Sequence, residues 1–436
     1  MKNIIECTSS ELDYFTEKPY QNIIESGIYA EIPAEKDTSS VVTFLVGASP
    51  SYFDLSKSFV TLKLKIYKTK NVELKEDDNV GLVNNFFHSI FKQGIVQINE
   101  EEVENSNSMY AYRAYITDTL NHGSETKNTF LQNALYYHDT AGAMDSTELP
   151  QKISTFEDFL KKQNLNHGYL KRREILINGK GSIQVRGIPH LDIFHNDKFI
   201  LNQTKLRIDL YLNDPSFYLM GSAGYQMEIV KAKLFVKKVQ PNASIQNGIN
   251  LQLEKSNAIY NMNHVYVKTI PVLLDDSAQE ITICEGLVPK RIIIGLVNAT
   301  ASSSGKLNSN PFNFDNYGLT SCTLQEGSSN VVYSNALEFD FDKGHFLDGY
   351  WSLFDGIDKP YLGNNISRED YAKGYMFLAY DLTPNGECEP FKTIDRSNKI
   401  TARFTWNKKS EFALNYIIYL EFNKSIVLDK YRNIPK

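Results

Sequence analysis

Between residues 59 and 68 the chain alternates. Val60, Leu62, Leu64 and Ile66 hold every second position, and Thr61, Lys63, Lys65 and Tyr67 hold the positions between. A period of two predicts a β-strand with one face buried and one face wet. The same pattern returns downstream. Leu206, Ile208, Leu210 and Leu212 alternate with Arg207, Asp209 and Tyr211. Leu337, Phe339 and Phe341 alternate with Glu338 and Asp340, and Tyr416, Ile418, Leu420 and Phe422 repeat the theme near the C-terminus. Asn178-Gly179 separates two apolar runs and predicts a tight hairpin turn, because both residues tolerate positive φ. Asn385-Gly386, after Pro384, predicts another turn.

Helical patterns are few and fall in one block. Met109, Tyr112, Ile116 and Leu120 share one helical face, and Asn121-His122-Gly123 supplies a stop. A second short helix is expected over about residues 128–137. Ser154 and Glu157 form a capping-box pattern that starts a third, with Phe156, Phe159 and Leu160 inside it. A helical insertion at about residues 106–165 is therefore expected inside a β domain. Residues 239–258 are polar, carry Pro241 and Asn247-Gly248, and show no alternation. They read as a connector. The expected organisation is all-β: an N-terminal part (1–240), a linker (241–258) and a C-terminal part (259–436). Each part has enough short strands for an eight-stranded sandwich. No internal sequence repeat is visible.

Size and composition agree. A chain of 436 residues accommodates two β domains of roughly 200–250 residues. Tyr and Phe number 26 and 25 against 7 Met and 2 Trp, a balance that favours strands over a helical bundle. The net charge of −6 argues against a surface that wraps nucleic acid. The basic clusters Lys171-Arg172-Arg173 and Lys237-Lys238 are short enough to be solvated strand-end or loop charge. Cys7, Cys284, Cys322 and Cys388 are far apart, which suits neither a disulfide framework nor a zinc site and points to a reducing compartment. The N-terminus lacks an apolar stretch of signal-peptide length. The densest apolar run, Ile292 to Val297, is far short of the roughly 20 residues that span a bilayer. The five N-x-[ST] sequons, Asn202-Gln203-Thr204 among them, are expected to be unused.

Three places hold residues of catalytic or metal-binding type. Arg368, Glu369 and Asp370 are adjacent, but neighbours on a strand point to opposite sides and neighbours on a helix do not face each other. Glycosidase chemistry needs two carboxylates converging from separate elements. The order Ser367, Arg368, Glu369, Asp370 suits a short capped turn, and the cluster reads as a charged corner that begins a late strand and makes salt bridges or subunit contacts. His190, Asp192 and His195 sit in IPHLDIFHND. On a strand His190 and Asp192 would share a face and His195 would take the other, and no third ligand cluster accompanies them, so the pattern reads against a metal site. His88, flanked by aromatics, reads as a core or interface histidine. No nucleophile elbow, P-loop, dinucleotide fingerprint or H-E-x-x-H is present. No catalytic residue and no cofactor are expected.

Ordered blocks along nearly the whole chain resemble one family. They include SSELDYF (9–15), YFDLSKSFVTLKLKI (52–66), NNFFHSIFKQGIVQIN (84–99), YAYRAYITDTLNHG (110–123), RGIPHLDIFHNDKFILN (186–202) and LFVKKV (234–239). LVPKRIIIGLVN (287–298), NPFNFDNYGL (310–319) and ISREDYAKGYMFLAYDLTP (366–384) follow in the second half. The set resembles the double jelly-roll major capsid protein of Polinton (Maverick) elements and the related adintoviruses. It departs from that pattern at Ile188-Pro189 and at His195-Asn196-Asp197. The resemblance implies two fused eight-stranded antiparallel jelly rolls and no enzymatic activity. It also implies a homotrimer that forms pseudo-hexameric capsomers. Those capsomers contact neighbouring capsomers, a single jelly-roll penton protein and minor cement proteins in an icosahedral shell. The shell encloses double-stranded DNA without specific binding, so the implied location is the virion capsid, assembled inside the host cell. The competing readings are a carbohydrate-binding β-sandwich or glycoside hydrolase, and a domesticated host copy that no longer assembles. Segments before about Ala30 and after about Asp429 lack patterning and are expected to be arms that order on assembly.

Overall fold

The computed structural model describes residues 23–37, 40–150, 164–273, 277–302, 307–357, 364–384, 386, 391, 394–407 and 413–435. The expected helix from Ser154, Cys7, Cys388 and Asn385 lie outside them. The first half contributes β1 (Ile24–Pro33), β2 (Lys36–Asp37), β3 (Val41–Val46), β4 (Tyr52–Tyr67), β5 (Val80–Leu82), β6 (Phe91–Ile98), β7 (Glu101–Asn105), β8 (Ser182–Gly187), β9 (Leu206–Leu212), β10 (Leu219–Gly221) and β11 (Gln226–Pro241). The second contributes β12 (Ala258–Pro271), β13 (Ala278–Leu287), β14 (Arg291–Asn298), β15 (Leu319–Glu326), β16 (Ser329–Asn330), β17 (Leu337–Glu338), β18 (Phe377–Asp381), β19 (Ser397–Trp406) and β20 (Leu414–Leu428).

The strand order shows the architecture. One sheet of the first half runs β1-β11-β4-β8, and the other runs β2-β3-β9-β6-β7. In the second half the sheets run β12-β20-β14-β18 and β13-β19-β15-β16, with β17 also on β15. With β2, β17 and the small β5–β10 ribbon set aside, both halves follow one rule. The first, eighth, third and sixth strands make one sheet. The second, seventh, fourth and fifth make the other. The ladders are antiparallel. This is the jelly roll, in which two sheets cover each other and loops gather at both ends. The chain is a double jelly roll.

The alternations locate the cores. Val60, Leu62, Leu64 and Ile66 of β4 are fully buried with Phe44, Val96, Ile208 and Leu210 of the opposed sheet. In the second half Tyr416 of β20 packs on Phe404 and Trp406 of β19, with ring centroids 4.6 and 6.4 Å away. β20 departs from a one-faced strand, because Ile417, Tyr419 and Glu421 are buried as well. β14 is buried on both faces as far as Val297.

Several local expectations are corrected. Asn178-Gly179 is not a hairpin turn. The apolar run before it is a helix, His167–Asn178, capped by the Asn166 side chain on the Tyr169 amide, and Gly179 closes its last turn. Positive φ falls instead on Lys180 and Gly181. The helical insertion therefore extends past residue 165 and ends only at β8. Its first helix, Tyr110–Asn121, matches the expectation, and the second is a 3₁₀ segment, Phe130–Ala134. The connector is not irregular. β11 runs through Pro241, and Asn242 then caps a helix, Ala243–Leu253. Arg172 is not solvated. It is completely buried, donating to Asp139 Oδ1 at 2.6 Å, Tyr137 O at 2.7 Å and Leu82 O at 2.8 Å. The described residues after Asp429 (430–435) are held on the chain through Arg432, which donates to Asn202 Oδ1 at 2.8 Å and whose carbonyl accepts from Asn99 Nδ2 at 2.6 Å. Residues 24–29 of the expected N-terminal arm form part of β1, along β11. No helix among the described residues is long and apolar enough to cross a membrane.

The helix Leu347–Asp355 packs on β18 so closely that only glycine fits at its end. A Cβ on Gly356 would lie 2.6 Å from the Ala379 backbone. Gly356→Ala is expected to destabilise the fold by about 1–3 kcal/mol, the usual range for overpacking. Urea denaturation of the two proteins measures this.

Candidate functional site

The chemistry-bearing side chains gather where the two jelly rolls meet. The helix Tyr110–Asn121 stands there, buried around most of its circumference. Tyr419 of β20 faces it, lying beside Arg113 and hydrogen-bonded to Thr117. An arginine in such a place needs acceptors, and two carboxylates supply them. Arg113 donates to Glu104 Oε1 and to Asp192 Oδ1, each at 2.8 Å. Glu104 Oε1 also accepts from the Asp192 amide at 2.7 Å. The second half closes the network. His264 Nδ1, on β12, lies 2.5 Å from Asp192 Oδ2, and the Val265 amide donates to Asp192 Oδ1 at 3.3 Å. Lys424 of β20 stands 3.9 Å from Asp192 Oδ2 and donates to Val103 O at 2.6 Å.

The environment sets the two carboxyls apart. Burial pushes both up, but the charge on Arg113 and the hydrogen bond with His264 hold Asp192 below the ordinary range. Glu104 is raised by burial and by the charge on Asp192. Its Oε2 is buried without a hydrogen-bond partner. Asp192 is thus the anion of the pair, and Glu104 is the group that takes up a proton first.

His190 and Asp192 do not share a face. Their segment is no strand: residues Asp192–His195 form a 3₁₀ turn. The turn sends Asp192 to Arg113 and brings His190 to His195, their ring centroids 5.3 Å apart. His190 Nε2 lies 3.1 Å from Asp118 Oδ1, and its amide donates to the Tyr110 hydroxyl at 3.1 Å. His88 is a core histidine. Its ring is 4.6 Å from that of His190, and its Nδ1 is 3.1 Å from the Tyr110 hydroxyl. Burial, with His190 beside it, pushes His88 down to about 3. Asp118 is pushed up by burial but held well below the carboxylate range by His190, His88 and His122.

Arg368, Glu369 and Asp370 form the first turn of a short helix, Arg368–Tyr371, and not the start of a strand. Ser367 and Asp370 cap it reciprocally: the Asp370 amide donates to Ser367 Oγ at 3.0 Å and the Ser367 amide to Asp370 Oδ2 at 3.3 Å. The three side chains diverge. Arg368 donates to Gly344 O at 2.8 Å and lies over the Phe346 ring, while Glu369 is exposed. Asp370 lies 3.5 Å from His138 of the insertion. His138 stacks on Tyr375 at 4.4 Å, and the Tyr375 hydroxyl donates to Asp139 O at 2.9 Å. Beside this contact, the buried Lys127 donates to Thr119 O at 2.6 Å and to Asn365, and burial pushes it down to about 7. Asp192 and Asp370 therefore join the two halves of one chain.

The sequence reading missed Glu104, Arg113, Asp118 and His264. A usable signal was present: an arginine and an aspartate among the aromatics of YAYRAYITD have no wet face to occupy on a buried helix. His264 carried no such signal.

Removing Arg113 strands two buried carboxylates. Arg113→Met is expected to cost about 3–5 kcal/mol, whereas Glu369→Ala should stay within about 0.5 kcal/mol; chemical denaturation compares them. The raised Glu104 binds its proton more tightly folded than unfolded. Its contribution is therefore complete below the ordinary glutamate value of 4.5 and is lost as pH rises through its folded value. Glu104→Gln keeps the accepting oxygen and removes the ionisation. The variant is expected to gain on the wild type in melting temperature from pH 5 to pH 8, as read by thermal melts across that range.

No family model matches the chain. A Caenorhabditis elegans protein described as uncharacterized is 23% identical over 407 residues, covering 88% of this chain and 90% of its own. Among solved structures, a chain of the Sputnik virophage cryo-EM structure matches with a TM-score of 0.64 at 11% identity, covering 99% of this chain and 92% of that one. The mavirus major capsid protein matches at 0.53 and 10% identity, covering 100% and 94%. The Faustovirus major capsid protein matches at 0.52 and 7% identity, covering 94% and 92%. At such identities the shared property is the fold, and these full-length matches agree with the double jelly roll read from the strand order.

Proposed function

We propose that the chain is a major capsid protein of the Polinton and adintovirus kind. Three copies associate into a pseudo-hexameric capsomer that tiles an icosahedral shell around double-stranded DNA. The observation that carries this reading is the repeated strand order within one chain, together with end-to-end likeness to the major capsid proteins of mavirus and Faustovirus. Two similar sandwiches side by side let a three-fold assembly present six similar lobes, a closed ring built from heterologous contacts. The buried network supports the same reading, because a tile that meets neighbours on many sides needs a fixed angle between its lobes. In this reading residues 1–240 and 259–436 are the two lobes. Asp192 and Asp370 are structural contacts between them, His190 is a structural contact within the first lobe, and the exposed Arg368 and Glu369 are available to neighbouring copies. The penton and cement proteins meet the capsomer from outside. The negative net charge suits a shell that encloses DNA without gripping it.

The test is the mass of the purified chain by light scattering, with electron micrographs of the same fractions. The expected result is a species of three times the 49.8 kDa chain, seen as pseudo-hexagonal particles or shells. A monomer at every concentration and salt tested contradicts the reading and directs attention to glycan binding.

A further inference from the structure

Four of the eight histidines in the chain lie near one buried aspartate. His190 Nε2 is 3.1 Å from Asp118 Oδ1, and His122 Nε2 is 3.8 Å from the same atom, one helical turn along. His88 and His195 each stand beside His190. The donor atoms of His88, Asp118 and His190 all lie within 4.8 Å of one another, and all three residues are buried. They come from three separate segments: the one-turn helix Phe86–Ser89, the helix Tyr110–Asn121 and the stretch after β8.

We propose that His88, Asp118 and His190 form a binding site for a first-row divalent cation of the zinc class, with His122 placed to complete it. Imidazole nitrogen and carboxylate oxygen are the ligand types such ions take, at bonds of about 2.0–2.2 Å. A tetrahedron on those bonds has edges of about 3.3–3.6 Å. The His190–Asp118 separation is already close to that, and His88 closes the rest by a rotamer-scale shift. The surroundings are organised as outer partners of a metal site are. The Tyr110 hydroxyl holds His88 Nδ1, which leaves Nε2 to coordinate. Asn85 donates to Asp118 Oδ2 at 2.6 Å, which leaves Oδ1 towards the histidines. A separate observation points to a missing partner here. The Oδ1 of that same Asn85 is buried without a hydrogen bond, on a residue only 1% exposed and held at a left-handed φ of 52°. The ion would fasten the insertion to the first jelly roll beneath the surface that the second jelly roll covers. This inference does not depend on the capsid reading.

The test uses the full chain, stripped with a chelator and titrated with Co²⁺ and Zn²⁺. The expected results are a visible Co²⁺ ligand-field spectrum, a single equivalent of zinc retained through gel filtration, and a higher melting temperature with zinc. Asp118→Asn and His190→Gln should abolish retention. Tyr110→Phe, which keeps every ligand, should weaken it by about 10–100-fold, and His345→Gln, at an exposed position, should leave it unchanged. If the cluster variants do not fold, the wild-type titration decides alone. Absence of the spectrum and of retained zinc overturns the proposal, as does retention that survives Asp118→Asn.

Discussion

In the sheet β12-β20-β14-β18, the strands β14 and β18 and the first half of β20 are buried on both faces, and the molecule is arranged around that constraint. A sandwich normally leaves its outer faces to water. Here Ile293, Val297, Ile417 and Tyr419 point away from the second jelly roll's own core and are nevertheless buried. Something has to cover them, and the insertion of the first jelly roll does so together with the second half's own segment between β14 and β15. The cover is largely aromatic: Tyr115 of the insertion stacks on Phe312 of that segment at 4.2 Å, Phe312 meets Tyr112 and Phe217, and Phe314 packs on Phe377 of β18. The charged side chains caught in this seam are paired with each other, although Glu104 Oε2 is left without a hydrogen bond. Arg113 with Glu104 and Asp192, and Arg172 with Asp139, are consequences of placing a polar-flecked helix between two apolar surfaces.

Such pairs are poor sources of net stability, because desolvation offsets most of the attraction. Their value lies in angle. An apolar seam tolerates sliding, whereas a carboxylate held by a guanidinium of its own half at 2.8 Å and by His264 of the other half at 2.5 Å does not. Asp192 accepts from both halves, and Asp370, Tyr375 and Asn310 tie the second half to His138 and Asp139 at another point. Two separated anchor points fix orientation as well as distance.

The fold was largely legible because burial of one strand face writes a period of two. β4 and β9 could be read directly. β20 was read as half-wet because the sequence does not say that a distant helix lies on its second face. Asn178-Gly179 misled for a related reason. Apolar runs on both sides suit a hairpin, and only the Asn166 cap distinguishes the first run as a helix. The site was less legible. Its partners come from β7, two helices, a 3₁₀ turn, β12 and β20, and no local pattern records a meeting of residues so far apart. Local chemistry did show the capped corner at Ser367. It could not show that Asp370 crosses to His138.

The seam also bears on how the chain is made. Synthesis delivers Arg113 and its aromatic neighbours first, and the β20 residues that cover them come about 300 residues later. At about 5–20 residues per second that interval is some tens of seconds. Until β12 is made the anion beside that guanidinium lacks His264, and until β20 is complete it lacks Lys424. A nascent chain stalled before Leu414 lacks the Tyr419 and Lys424 contacts, so the buried site of the first lobe is completed only once the second lobe has been made.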